Sequence, residues 1–251
     1  MKDYRLLLDL HRTAARQGPG GEAETRRALE LAMVDRSCLL KVADIGCGTG
    51  ASTLVLAQEL NGTITAVDIF PEFLEILQSK VRLHGLTDKI ALLACSMEAL
   101  PFADGEFDVI WSEGAVYNMG FEKGIARWKG FLKPGGMMII SEITWLSSTR
   151  PLDLQAYWEK EYPEIDTASS KIGILERHGY TPEAYFVLPK HCWLENYYLP
   201  MQNRFADFLQ RNGPSEQAMA IVDTEKTEIA MYEKYNAYYS YGFYVARKLE
   251  A

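Results

Sequence analysis

The stretch VADIGCGTGAS at residues 42–52 constrains this chain more than any other. A short apolar run stops at Gly46, Gly48 and Gly50, and the helix-forming ASTLVLAQEL follows at once. A strand that turns through glycines straight into a helix opens an α/β unit. The glycines let backbone amides at the helix N-terminus come close to a ligand. The pattern then repeats: GTITAVDI (62–69) reads as a strand, and PEFLEILQSKVRLHG (71–85) as a helix with Pro first and Gly last. KIALLAC (89–95) and FDVIWS (107–112) are strands, GFEKGIARWKGFL (120–132) is helical, and KPGG (133–136) turns the chain into the strand MMIISEITW (137–145).

Strands alternating with helices predict a parallel sheet covered on both faces, because right-handed crossovers put the helices there. Beyond residue 150 the pattern changes. PLDLQAYWEKEY and DTASSKIGILERHG read as helices, YTPEAYFVL (180–188) as a strand, 194–240 as mostly helical, and YSYGFYVARK (239–248) as a closing strand. Residues 2–35 read as two helices broken at RQGPGG (16–21). The expected architecture is a Rossmann-like α/β fold: a seven-stranded, mostly parallel sheet with N-terminal helices and a helical insertion between its last two strands. The expected plan is one domain over 1–251, with an N-terminal cover at 1–35, a core at 36–190 and 239–251, and a cap at 193–238. A long insertion between neighbouring strands is usually functional.

Net charge is −8, and no stripe of Lys and Arg appears, which argues against a nucleic-acid partner. No apolar run approaches the roughly 20 residues of a membrane span. The start, MKDYRLLLDLHRTAARQG, lacks the apolar core of a signal peptide, so a cytoplasmic protein is expected. Cys38, Cys47, Cys95 and Cys192 form no C-x-x-C pair and read as small thiols. No metal site is expected.

Two cofactor readings compete at the glycine turn. Gly46, Gly48 and Ala51 fit the dinucleotide pattern G-x-G-x-x-G/A, with Asp68 at the spacing of a ribose-binding acid. Gly46, Gly48 and Gly50 also fit G-x-G-x-G behind an acid, Asp44. A carboxylate there would repel a pyrophosphate and attract a ligand carrying an ammonium and a sulfonium.

On these residues the chain resembles the class I S-adenosylmethionine-dependent methyltransferases, of the small-molecule type that includes ubiquinone/menaquinone-pathway enzymes. DIGCGTG matches the family's first motif, VDIF its ribose-binding acid, SMEALPF (96–102) its adenine-side segment, and FDVIWSEGAVYNMG and LKPGGMMIISE the two that follow. The whole chain, RQGPGG included, also resembles a bacterial subgroup without an assigned substrate. The resemblance implies S-adenosyl-L-methionine as cofactor. Gly46, Cys47, Gly48 and Gly50 would face its methionine part, Asp44 its amino group, Asp68 its ribose, and Ile69, Ser96 and Met97 its adenine. Ser96 departs from the aspartate many relatives carry.

Methyl transfer from a sulfonium is an in-line displacement with a neutral leaving group, so positioning and water exclusion supply most of the rate and no triad or metal is required. Glu113, Tyr117 and His191 are the candidate catalytic residues, with Glu113 also beside the cofactor methyl. The loop after 112 lacks the N/D-P-P-Y/F sequence of nucleic-acid amino methyltransferases, which points to a small-molecule acceptor. Tyr232, Tyr235 and Tyr239, at helical spacing, read as a core stripe. A monomer or homodimer is expected. An NAD(P)-dependent oxidoreductase and a non-catalytic S-adenosylmethionine-binding module remain alternatives.

Overall fold

The computed structural model describes residues 4–213 and 215–249. Strands β1 (Leu40–Ile45), β2 (Gly62–Asp68), β3 (Ile90–Ala94), β4 (Phe107–Glu113), β5 (Leu132–Trp145), β7 (Tyr180–Val187) and β8 (Tyr239–Lys248) lie in the order β3-β2-β1-β4-β5-β8-β7. A two-residue strand, β6 (Asp166–Thr167), pairs with β5. β8 runs antiparallel to β5 and to β7, while the β1–β2, β1–β4, β2–β3 and β4–β5 ladders are parallel. The fold is the expected Rossmann-like α/β sheet.

The helices are α1 (Arg5–His11), α2 (Glu22–Ala32), α3 (Ala51–Glu59), α4 (Pro71–Leu83), α5 (Phe121–Trp128), α6 (Leu152–Glu161), α7 (Ala168–Arg177), α8 (Lys190–Trp193), α9 (Leu199–Asn212) and α10 (Glu216–Tyr235). Alternate strand residues feed two cores. Val42, Val109, Trp111, Ile139 and Phe243 pack with α2, α3, α4 and the α8–α10 helices. Ala43, Ile110, Ile140 and Tyr244 pack with α5 and α7. A sheet covered on both faces explains why β5 reads as a continuous apolar run from Met137 to Ile140. The tyrosine stripe is core: Tyr232, Tyr235 and Tyr239 are buried, and Trp193 stacks between Tyr232 at 4.4 Å and Tyr241 at 5.2 Å.

Two local expectations differ. KPGG is no turn between elements; Phe107 pairs with Leu132 and Val109 with Met137, so residues 133–136 ride as a bulge inside β5. Asp108 stabilises it by accepting from Lys133 at 2.7 Å, and Gly135 takes the left-handed φ of 72° that the bulge needs. Residues 166–167, read as the start of a helix, pair in parallel with Thr144 and Trp145, past the end of the β4 ladder. Thr167 then caps α7 by accepting from the Ser170 amide at 3.3 Å.

Glu142 on β5 and Lys171 on α7 form a fully buried ion pair at 3.7 Å. Burial pushes the Glu142 carboxyl up to about 7 against the opposing pull of Lys171. The negative charges of Asp166 and Glu164 also act on Lys171, whereas the cation that opposes the burial of Glu142 is Lys171, so removing Lys171 leaves Glu142 stranded. Lys171→Met is expected to cost about 3–5 kcal/mol of stability, with Lys171→Met/Glu142→Gln recovering most of it. Urea unfolding checks this; a single variant as stable as wild type would show that the pair contributes nothing.

Candidate active site

A cavity of about 670 Å³ opens at the carboxyl ends of β1, β2 and β4, within the usual range for small-molecule sites. Its floor is the glycine turn, Asp68–Phe70, residues 95–98 and Glu113–Ala115; its roof is α1, residues 16–19, Tyr197 and two glutamates of α10.

Gly46 and Gly48 take φ of 78° and 54°, a left-handed backbone that suits glycine. A Cβ on Gly46 would meet that of Ala115 at 2.3 Å, and one on Gly48 would meet Gln17 Oε1 at 2.4 Å. The turn is therefore bare backbone pressed between the β4 loop and the N-terminal segment. Gly46, Cys47, Gly48, Asp68, Ile69, Ser96, Met97 and Glu113 all line the cavity. Asp68 accepts the Gly48 amide on Oδ2 at 2.9 Å and the Phe70 amide on Oδ1 at 3.0 Å. Burial pushes its carboxyl up, and these amide bonds oppose the rise. Ile69 is exposed at the mouth. Ser96 Oγ accepts the Glu98 amide at 3.2 Å, and the Met97 carbonyl accepts from Trp128 at 3.2 Å. Burial, with the negative charges of Asp44 and Asp68, pushes the Cys47 thiol well up, leaving it a protonated, unreactive wall group.

Asp44 and Gly50 lie behind this surface. Gly50 caps α3 and packs on Leu77. Asp44 is fully buried, and its Oδ2 accepts from Ser52 at 2.9 Å and Thr53 at 2.7 Å. Burial pushes its carboxyl up to about 7, opposed by the Thr53 bond. Asp44 thus braces the first turn of α3, whose Ser52 is the lining residue, while its Oδ1 has no hydrogen-bond partner among the described residues.

Glu113 is fully engaged. Its Oε2 accepts from Arg16 Nη2 at 2.5 Å, and its Oε1 accepts from Thr25 Oγ1 at 2.7 Å and Trp111 Nε1 at 3.0 Å. With its side chain 6% exposed and three donors on its carboxylate, it ties the N-terminal segment and α2 to the end of β4. Tyr117 lines the cavity from a short 3₁₀ turn (Val116–Asn118), its ring 6.1 Å from that of Tyr162. His191 does not line the cavity. It sits 3.4 Å from Glu24 Oε1, and Glu24, His191 and Cys192 form a cluster that is, among the described residues, the one group of such side chains close enough to share a cation.

The roof residues fall within the expected cover at 1–35 and cap at 193–238, but the contacts that fasten them were not readable in the sequence. Gln17 Oε1 accepts the Thr49 amide at 2.8 Å, so RQGPGG is a clasp on the glycine turn as well as a helix break. Glu225 and Glu228 went unnoticed, although a signal was there: Glu225 occupies the apolar stripe Ala218, Val222, Ile229, Tyr232 of α10.

Residues 42–136 match a family described as "Methyltransferase domain". Methyltransferase GfsG of Streptomyces halstedii is 32% identical over 124 residues, 49% of this chain and 44% of that protein. A ubiquinone/menaquinone biosynthesis C-methyltransferase UbiE of Geobacter sp. (strain M21) is 29% identical over 155 residues, 59% of this chain and 64% of that protein. The chain thus spans less than two thirds of the length of these relatives. In fold it is similar to a solved SAM-dependent methyltransferase from Geobacter sulfurreducens in complex with S-adenosyl-L-homocysteine: TM-score 0.83, 16% identity, covering 96% of this chain and 97% of that one. The matched residues carry the strand–glycine–helix unit and the sheet edge that form the cavity floor, so that part of the chain is similar to a methyltransferase domain.

Proposed function

We propose that the protein transfers a methyl group from S-adenosyl-L-methionine to a small-molecule acceptor held between the sheet and the α8–α10 cap. The observation that carries this is Asp68, fixed by two backbone amides at the cavity floor beside a turn that tolerates no side chain. Each of its oxygens keeps lone pairs for a pair of ribose hydroxyls, as charge-assisted bonds. Ile69 and Met97 flank the adenine position, and the Ser96 hydroxyl is the polar group there. The bound cofactor supplies an electrophilic methyl on a sulfonium.

The electrostatics disfavour a dinucleotide. Among the described lining residues Arg16 is the one Lys or Arg side chain, and Glu113 holds it. A pyrophosphate would face Asp68, Glu225 and Glu228 without a free cation, whereas a cationic cofactor is attracted. Glu113 acts as a positioning residue through Arg16, keeping the roof closed over the reacting groups and excluding water. Tyr117 is on the acceptor side of that junction. No helix among the described residues is long and apolar enough to cross a membrane. The reading includes a cytoplasmic location and a monomer or homodimer.

Asp68→Ala should weaken S-adenosylmethionine binding by about 2–3 kcal/mol in calorimetry, the worth of hydrogen bonds to a charged group. Unchanged affinity would remove Asp68 from the site, and stabilisation of the wild type by NADH instead would replace the cofactor. Arg16→Met and Glu113→Gln should weaken cofactor binding alike, and their double variant should show a coupling of about 1–3 kcal/mol. Zero coupling, with turnover lost only in Glu113→Gln, would return Glu113 to the role of base.

A further inference from the structure

The cap end of the cavity holds side chains that the cofactor does not use. Glu225 and Glu228, one helical turn apart on α10, both line it, together with His11 of α1 and Tyr197. Glu225 is 9% exposed; its Oε1 lies 3.6 Å from His11 Nε2, and its Oε2 has no hydrogen-bond partner among the described residues. The other ring nitrogen of His11, Nδ1, is likewise buried without a partner, and its ring stacks on Tyr197 at 6.3 Å. Glu228 Oε1 accepts from the Tyr198 hydroxyl at 2.9 Å. Burial, then the charge of Glu225, pushes the Glu228 carboxyl up to about 7.

Two carboxylates facing one cavity repel each other, and His11, the one group of possible positive charge in contact with them, faces Glu225 and leaves Glu228 without a cationic partner among the lining residues. The one lining arginine is already held by Glu113. Such an arrangement persists where a ligand brings the missing charge. A carboxylate or phosphate acceptor would be repelled, and a neutral one would leave Glu228 uncompensated. Tyr117 and Tyr197 add aromatic faces on which a cation is favoured.

We infer that the acceptor is an amine, received as its ammonium by Glu225 and Glu228 beneath Tyr117 and Tyr197. The inference rests on the methyl-transfer reading above. The ammonium must give up one proton, which passes to one of the two carboxylates. The freed nitrogen lone pair then forms the N–C bond while the S–C bonding pair returns to sulfur. The product is the methylated ammonium.

The test uses the full chain loaded with S-adenosylhomocysteine and a panel of primary and secondary alkyl and aryl amines, each with its matched alcohol and carboxylate. At least one amine is expected to raise the melting temperature and to take up label from methyl-labelled cofactor, while its alcohol and carboxylate do neither. Glu225→Gln and Glu228→Gln should each weaken that amine tenfold or more with S-adenosylhomocysteine affinity unchanged. The double variant, relieved of repulsion, should melt above wild type. Stabilisation by alcohols or carboxylates in place of amines, no stabilisation by any amine of the panel, or a double variant that melts lower would overturn the inference. Failure of the wild type to bind S-adenosylhomocysteine at all would instead sink the methyl-transfer reading.

Discussion

Glu113 joins three parts of the chain at one carboxylate: Arg16 from the N-terminal loop, Thr25 from α2 and Trp111 from its own strand. A carboxylate at the end of β4 would otherwise face a partly dry cavity uncompensated. Its three donors satisfy it and, in doing so, pin residues 16–21 over the glycine turn. Gln17 then reaches the Thr49 amide and hydroxyl, and Lys80 of α4 donates to the Thr49 carbonyl at 2.9 Å. The roof of the cavity thus depends on side-chain bonds to the sheet edge, the kind of connection that opens at lower free energy than the core. That is a reasonable construction for a site that must admit a ligand and then exclude water.

The buried carboxyls on this edge follow one rule. Asp44 and Glu142 are both raised to about 7, chiefly by burial. A raised folded-state value means that the stability each contributes is full below the ordinary carboxylate range and is lost as pH rises through about 7. Near neutrality the edge carries partly uncompensated negative charge; Glu113 raises Asp44 further. A cation bound above the turn offsets that cost, which links the stability of the floor to the charge of the cofactor. Glu142 has solved the same problem internally, with Lys171.

Much of the floor was legible because its signals are local. The glycines, the acid that follows them and the segment at 96–102 stand close in sequence, and the alternation of strand and helix fixes which strand ends meet. Even β8, reversed in the sheet, announced itself as a closing strand. What stayed hidden is long-range. Arg16 and Glu113 are 97 residues apart, and no spacing joins them. The position of Glu113 was readable; its partners Arg16 and Thr25 were not. The hydroxyls that Asp44 accepts from, Ser52 and Thr53 of the following helix turn, are invisible as its partners until the turn is folded. His191 lies outside the cavity lining, beside Glu24, while Glu225, hidden in an apolar stripe, was passed over.

A cofactor seated on the glycine turn would be enclosed by the segment that Glu113 holds. Amide hydrogen exchange with and without S-adenosylhomocysteine tests it most directly. The amides at Gly48, Thr49 and Phe70 and those at 16–21 should all be protected together by the ligand, with protection at 16–21 lost in Arg16→Met. Protection of the turn with no change at 16–21, or no protection at either, would contradict the account.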